Sequence, residues 1–202
     1  MSAFPVHSIE SAPAQSRPGL ETLRAAFGFI PNVAGAMANS SVLINSLPGL
    51  FENVHNGSFS EQQIQAILLT NAVTNRCAYT VAFHTFLGLK EKLEPADVQA
   101  IRAGGLPTDP KLAALSNLAK TLIEKRGDLE EKDKQQFFSA GFGPGHLLEV
   151  IAVVAASAIT NYTGSVTAPP LEAQFQPYSW SLPTVSRAPA GHTRDPRLRG
   201  DQ

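Results

Sequence analysis

Along this chain apolar side chains recur three and four positions apart, and no convincing run of alternating β-branched residues breaks that pattern. The helical period dominates throughout and predicts an all-α fold. A first helix is expected over 18–27, with Pro18 in its first turn and Gly28 as its stop. A short second helix follows Pro31. Residues 41–55 read as a helix with Leu43, Ile44, Leu47 and Leu50 apolar, but Pro48 inside it has no N–H to donate and must kink it or split it in two. Asn56-Gly57 ends that helix. Ser60 is then an N-cap with Gln63 at the capping-box position, and Ile64, Ile67 and Leu68 form the inward stripe of the helix that leads to Cys77.

Beyond the cysteine, 78–89 reads as a helix ending at or just after Gly88. Glu94-Pro95-Ala96-Asp97 opens a short helix closed by Gly104-Gly105, and 111–126 carries Leu112, Leu115, Leu118, Ala119 and Leu122 at helical spacing. Another short helix is expected to start within the acidic stretch 128–133. Gly141, Gly143, Pro144 and Gly145 then break the chain; a phosphate cradle would need a preceding strand and a Lys-Ser/Thr pair, so a turn between helices is expected. The most apolar stretch, 147–160, is interrupted by Glu149 and falls short of the roughly 20 residues a membrane span needs, which predicts a buried helix and no membrane partner.

Pairing residue n with n + 86 matches Ala66 with Ala152, Ala72-Val73-Thr74-Asn75 with Ala158-Ile159-Thr160-Asn161, and Cys77 with Thr163. The match covers one helix and its exit. It suggests an internal duplication of a helical unit, with chance similarity of two alanine-rich helices as the alternative, and it is too short for a solenoid.

The end of the chain differs in kind. Six of the 15 prolines lie from Pro169 to Pro196, with Phe175, Tyr178 and Trp180 among them. That composition predicts a domain over 1–168 and an extended, non-helical tail over 169–202. Residues 171–180 are expected to dock on the body or on a neighbouring subunit, and the stretch from Arg187 to be a solvated end. The 16 Lys and Arg against 17 Asp and Glu leave a net charge of -1, with no basic run before the last dozen residues, so nucleic acid is not an expected partner. The amino terminus lacks a basic n-region and an apolar stretch, so a cytoplasmic protein is expected, in which a lone thiol stays reduced.

Candidate chemistry centres on Asn75-Arg76-Cys77-Ala78-Tyr79-Thr80-Val81-Ala82-Phe83-His84. Cys77, the only cysteine, stands at the amino end of the predicted helix, where N–H groups and the dipole favour a thiolate. Arg76 adds a neighbouring cation. His84 is two turns on along the same face, with Thr80 between them. A thiol and a histidine on one face suit nucleophilic or peroxidatic work, against the alternative that free cysteine often acts as a small buried hydrophobe. Seven residues on one helix span roughly 10.5 Å, too far for Cys77 and His84 to share one ion, so no metal is expected there. His55 and His146 point to structural or capping roles. No haem or flavin motif is visible, and no cofactor is expected.

The stretch 60–88 resembles the core motif of the AhpD-like, carboxymuconolactone decarboxylase family, in which a helix with a glutamate precedes Cys-x-x-Cys and a histidine four residues later. Gly28-Phe29-Ile30-Pro31-Asn32-Val33 and 158–161 also fit it. The resemblance spans roughly 20–165, and Phe175, Pro177 and Trp180 resemble the tail of its peroxidase-related subgroup. It implies an all-helical trimer or hexamer, a small hydroperoxide or lactone-like substrate, and an external thiol reductant if the chain is active as a peroxidase. Cys77 stands at the first cysteine, Tyr79 between the two, and His84 at the histidine. Thr80 replaces the second cysteine, the attacking thiol in the family, and Gln65 replaces the glutamate, so the attacking sulfur and the titratable carboxyl are both gone. Three readings follow: a weakened one-cysteine hydroperoxide reductase at Cys77, a cofactor-independent decarboxylase-type enzyme using His84 with Gln65 and Thr80, and a non-catalytic helical oligomer that binds a small ligand or a protein.

Overall fold

The computed structural model describes residues 3–181, and every regular element among them is helical. In chain order these are α1 (Arg17–Phe27), α2 (Asn32–Met37), α3 (Ser41–His55), α4 (Glu61–Thr74), α5 (Ala78–Lys90), α6 (Pro95–Arg102), α7 (Pro110–Glu124), α8 (Glu131–Ser139) and α9 (Pro144–Thr167). Short 3₁₀ turns lie at Ala14–Ser16 and Ala173–Tyr178. The expected solvated end from Arg187 lies outside the described residues.

α4 is the central element, packed on α5, α6, α7 and α9. Its nine residues from Ile64 to Ala72 are all buried, including Gln65, Thr70 and Asn71. It therefore has no single inward stripe: a helix enclosed on every side is apolar all round. The expected capping box forms as read, with Ser60 and Gln63 each accepting the other's backbone N–H. At the far end Arg76 takes the left-handed conformation at φ 58. Its N–H donates to Val73 O and that of Cys77 to Ala72 O, which closes α4 and makes Cys77 the N-cap of α5.

Pro48 neither splits nor ends α3, which runs unbroken through it. The carbonyl it cannot donate to, that of Ile44, faces α1 at Gly19, where an added Cβ would lie 2.8 Å from the oxygen. Gly19 N–H also donates to Asn45 Oδ1. The missing helical bond thus sits where another helix comes close.

α9 is longer than the apolar stretch in the sequence, 24 residues rather than 147–160, and it is not buried all round. Val150, Val153, Ala156, Ser157 and Asn161 face inward, whereas Leu148, Ile151, Tyr162 and Val166 are exposed. By length and composition alone it could cross a bilayer, which corrects the expectation that the stretch is too short. At its start His146 accepts the Gly143 N–H, a capping role. Residues offset by 86 also meet: Asn71 of α4 donates to Ser157 of α9 at 2.8 Å. The two copies part after that, because the break at Asn75-Arg76-Cys77 has no counterpart in α9.

The tail after α9 is not fully extended, since Ala173–Tyr178 forms a 3₁₀ turn around Pro177. That segment lies on the body of the same chain. Phe175 is fully buried against Phe29, Phe83 and Phe86. Trp180 Nε1 donates to Arg102 O, and Arg102 in turn donates to the carbonyls of Tyr178 and Ser179.

Candidate functional site

α4 and α5 run side by side, and this brings Gln65 and His84 together although 19 residues separate them. His84 is 4% exposed. Its Nδ1 donates to Gln65 Oε1 at 3.0 Å, because a carbonyl oxygen can only accept. That bond fixes the tautomer and leaves Nε2 as the basic nitrogen, with no partner among the described residues. Burial, with His55 as a smaller contributor, pushes the imidazole pKa down to about 3, so the ring is neutral at physiological pH.

His84 and Gln65 lie on a cavity of about 550 Å³ between α1, α3, α4 and α5. Its walls are mostly apolar, with Leu23, Phe27, Val33, Phe51, Phe83 and Leu87 among them. Phe83 meets the His84 ring edge-on at 5.2 Å, and Phe27 meets Phe83 edge-on at 5.7 Å. Charged groups sit at the outer part: Glu52, His55, Glu61, Lys90 and Glu91. Among them His55 Nδ1 and Glu61 Oε1 pair at 2.9 Å.

Thr80 and Tyr79 reach the same cavity, but their hydroxyls are engaged elsewhere. Thr80 Oγ1 lies 2.6 Å from Asn161 Oδ1 and 3.2 Å from Cys77 O, so its single proton is taken within the protein. Tyr79 donates to Glu172 Oε1 at 2.7 Å, and that oxygen also receives the Asn32 N–H. Burial first, and the Glu172 carboxylate second, push the Tyr79 hydroxyl well above the usual phenol range.

Cys77 is placed apart from this group. It is 1% exposed and does not border the His84 cavity. Its sulfur packs on α9 at Gly164, where a Cβ would come within 2.7 Å of Sγ. It borders instead a second cavity of about 440 Å³, shared with Arg76, Tyr79, Leu171 and Trp180. Arg76 is exposed in the break between the helices. The expected pairing of thiol and histidine on one helical face is therefore not a single site. Being the N-cap of α5 directs Cys77 toward α9, while Thr80 and His84 belong to the helix proper.

Sequence reasoning did not find Glu172, which lies 93 residues beyond Tyr79, nor the aromatic wall of Phe27, Phe51 and Phe83. Asn161 had one trace, its place in the 86-residue offset. Among the described residues no cluster of three or more His, Cys, Asp or Glu could hold a metal ion.

No protein-family model matches the chain, and no curated protein does. Solved structures do. An alkylhydroperoxidase AhpD core, an uncharacterized peroxidase-related protein from Ralstonia eutropha JMP134, aligns with a TM-score of 0.75 at 17% identity, over 86% of this chain and 94% of that one. An uncharacterized peroxidase-related protein from Silicibacter sp. TM1040 aligns with a TM-score of 0.68 at 19% identity, over 86% and 92%. The debrominase Bmp8, in complex with 2,3,4-tribromopyrrole, aligns with a TM-score of 0.73 at 15% identity, over 88% and 96%. This chain has the all-α fold of the AhpD core.

Proposed function

We propose that the protein is a cofactor-independent enzyme that moves a proton on a small apolar substrate, with His84 Nε2 as the base. This is acid–base chemistry on a neutral substrate, without loss of carbon dioxide, rather than thiol peroxidation. The observation that carries it is the unpartnered Nε2 of the buried His84, on a mostly apolar cavity that Cys77 does not border. Nε2 takes a proton from the bound substrate and returns it at another atom, so His84 ends unchanged and no reductant is consumed. With Gln65 rather than a carboxylate behind it, the buried imidazole is a weak base. An anion developing beside Nε2 favours its charged form, so the proton moves only when substrate fills the cavity. The debrominase of the same fold holds a small ring compound, which supports a ring-sized occupant here. Turnover of a panel of lactones and enolisable ketones, followed by deuterium exchange at the acidic C–H, tests the reading. His84→Gln should abolish exchange and Cys77→Ser should leave it largely intact; exchange that survives His84→Gln overturns it.

One observation favours a second reading, hydroperoxide reduction at Cys77: the thiol borders a cavity of its own beside Arg76 at the amino end of α5. There the thiolate attacks the O–O bond, giving a sulfenate and an alcohol. Two equivalents of an external thiol then regenerate the cysteine, because the chain has no second one. Dimedone labelling of Cys77 after treatment with cumene hydroperoxide would support this route, and an unlabelled thiol excludes it.

The exposed apolar residues of α9, Leu148, Ile151, Tyr162 and Val166, support a homo-oligomer, to be measured by light scattering. A cytoplasmic setting suits a chain with one unpaired cysteine.

A further inference from the structure

We propose that the His84 cavity takes an uncharged aromatic compound carrying one weakly acidic O–H or N–H, which it donates to His84 Nε2. This rests on the reading of that cavity as the working site and narrows its substrate. Most of the polar groups inside are already committed to one another. Gln65 Oε1 receives the His84 Nδ1 proton, the Thr80 hydroxyl is held by Asn161, and the Tyr79 hydroxyl is given to Glu172. What remains for a ligand is the Nε2 acceptor of His84 and, beside it, the amide N–H2 of Gln65, which has no partner among the described residues. A hydroxyl or ring N–H on the ligand can donate to Nε2 and a hydroxyl oxygen can accept from that amide, whereas further polar atoms against the apolar walls would be buried without a partner.

The walls decide the rest of the molecule. Phe27, Phe51 and Phe83 line the space, and rings prefer edge-to-face or offset contacts with one another. A volume of about 550 Å³ is ample for a substituted ring. Charge excludes the alternative of a carboxylate. Three carboxylates, Glu52, Glu61 and Glu91, stand at the outer part against Lys90 and His55, and His55 is already held by Glu61. An incoming carboxylate meets net negative charge there and would find no cation beside His84. Di- and tricarboxylate lactones are therefore outside the class.

Three probes of matched shape test this on the full chain by calorimetry at pH 7: 4-butylphenol, 4-butylanisole and 4-butylbenzoate. The phenol should bind about tenfold more tightly than its methyl ether, the effect of one hydrogen bond in a dry site, and the benzoate should not bind detectably. His84→Leu should bring the phenol down to the anisole level. Because that variant can fail to fold, the wild-type protein is also followed by 15N NMR. The Nε2 resonance should move on adding the phenol and stay in place on adding the ether. Equal affinity for phenol and ether, tighter binding of benzoate, or an Nε2 resonance that ignores the phenol overturns the proposal. Binding needs no turnover, so the two claims fail separately. A phenol held at Nε2 without any exchange chemistry removes only the catalytic reading, and His84-dependent turnover of a tight-binding carboxylate removes only the ligand class.

Discussion

The sulfur of Cys77 occupies the space where Gly164 has no side chain; a Cβ there would lie 2.7 Å away. Glycine in the middle of a helix costs about 1 kcal/mol relative to alanine, and α9 has one at the turn that crosses the thiol. The contact makes the cysteine a packing partner of α9. It also explains why the thiol and His84, on one stretch of sequence, serve different cavities.

Gly164→Ala should therefore lower stability despite its better helix propensity, by roughly 1–3 kcal/mol of overpacking. In a chain of this size that is a fall in Tm of several degrees. Adding Cys77→Ala removes the sulfur and should recover part of the loss, so the pair will not be additive. Thermal unfolding of the two single variants and the double variant measures this; additive losses would mean that the contact is not what Gly164 serves.

His84 makes the fold sensitive to acid. Its folded pKa of about 3 lies below the ordinary 6.5, so between those values the unfolded chain takes up a proton that the folded one refuses. Stability is full above pH 6.5, falls as pH drops toward 3, and gains no further loss from this group below that. From pH 7 to pH 5 the loss is about 2 kcal/mol. Urea unfolding at the two values should show a steeper decline for the wild type than for His84→Gln, and parallel declines would contradict the burial of a neutral imidazole.

Placing a carboxyl at position 65 should reverse that. In Gln65→Glu a carboxylate would stand near the 3.0 Å position now held by Oε1, and an opposite charge at that range raises a histidine by roughly 1–3 pKa units. The ring proton shifts of His84 should then titrate between about pH 4 and 6. A ring still neutral at pH 4 would show that solvation, not the missing charge, controls it.

Arg76 holds φ 58 at the end of α4, a conformation that costs a side chain roughly 1–2 kcal/mol. Arg76→Gly should raise the midpoint of denaturant unfolding by relieving that strain, with no change in slope. An unchanged or lower midpoint would mean that the exposed guanidinium contributes more than the backbone loses.

Phe175 is buried among three other phenylalanines, and Phe175→Ala should cost about 3–5 kcal/mol. Because Phe83 also touches His84, the loss should bring faster proteolysis of the segment after α9 and weaker ligand binding in the His84 cavity. Intact binding would separate the tail from the site.

Much of the architecture was legible because helices are encoded locally. Ser60 and Gln63 cap α4 through bonds spanning three residues, and the Gly28 and Gly104 stops need only a positive φ. What the sequence left open or missed depended on distant neighbours. Of the two expectations for Pro48, a kink or a split, the split does not occur, and Gly19 of α1 lies against the carbonyl it leaves. α9 runs on through Asn161 and Gly164, which have poor helix propensity, because the side chain of one and the lack of a side chain on the other meet Thr80 and Cys77. Polar Gln65 and Asn71 are enclosed with the rest of α4, which periodicity alone cannot tell from an exposed face.

The sequence by itself determined the helices, the lone thiol at Cys77, and the presence of an amide at Gln65 and a hydroxyl at Thr80, neither of which can titrate near neutral pH. Spacing along one helix and the chemistry of single side chains are properties of the chain. Only the tertiary structure decided that His84 opens on an apolar cavity while Cys77 turns to Gly164, and that Glu172 arrives from the tail to hold Tyr79. Those outcomes rest on where α9 and the segment after it cross α5, and such crossings are set by the packing of surfaces far apart in sequence.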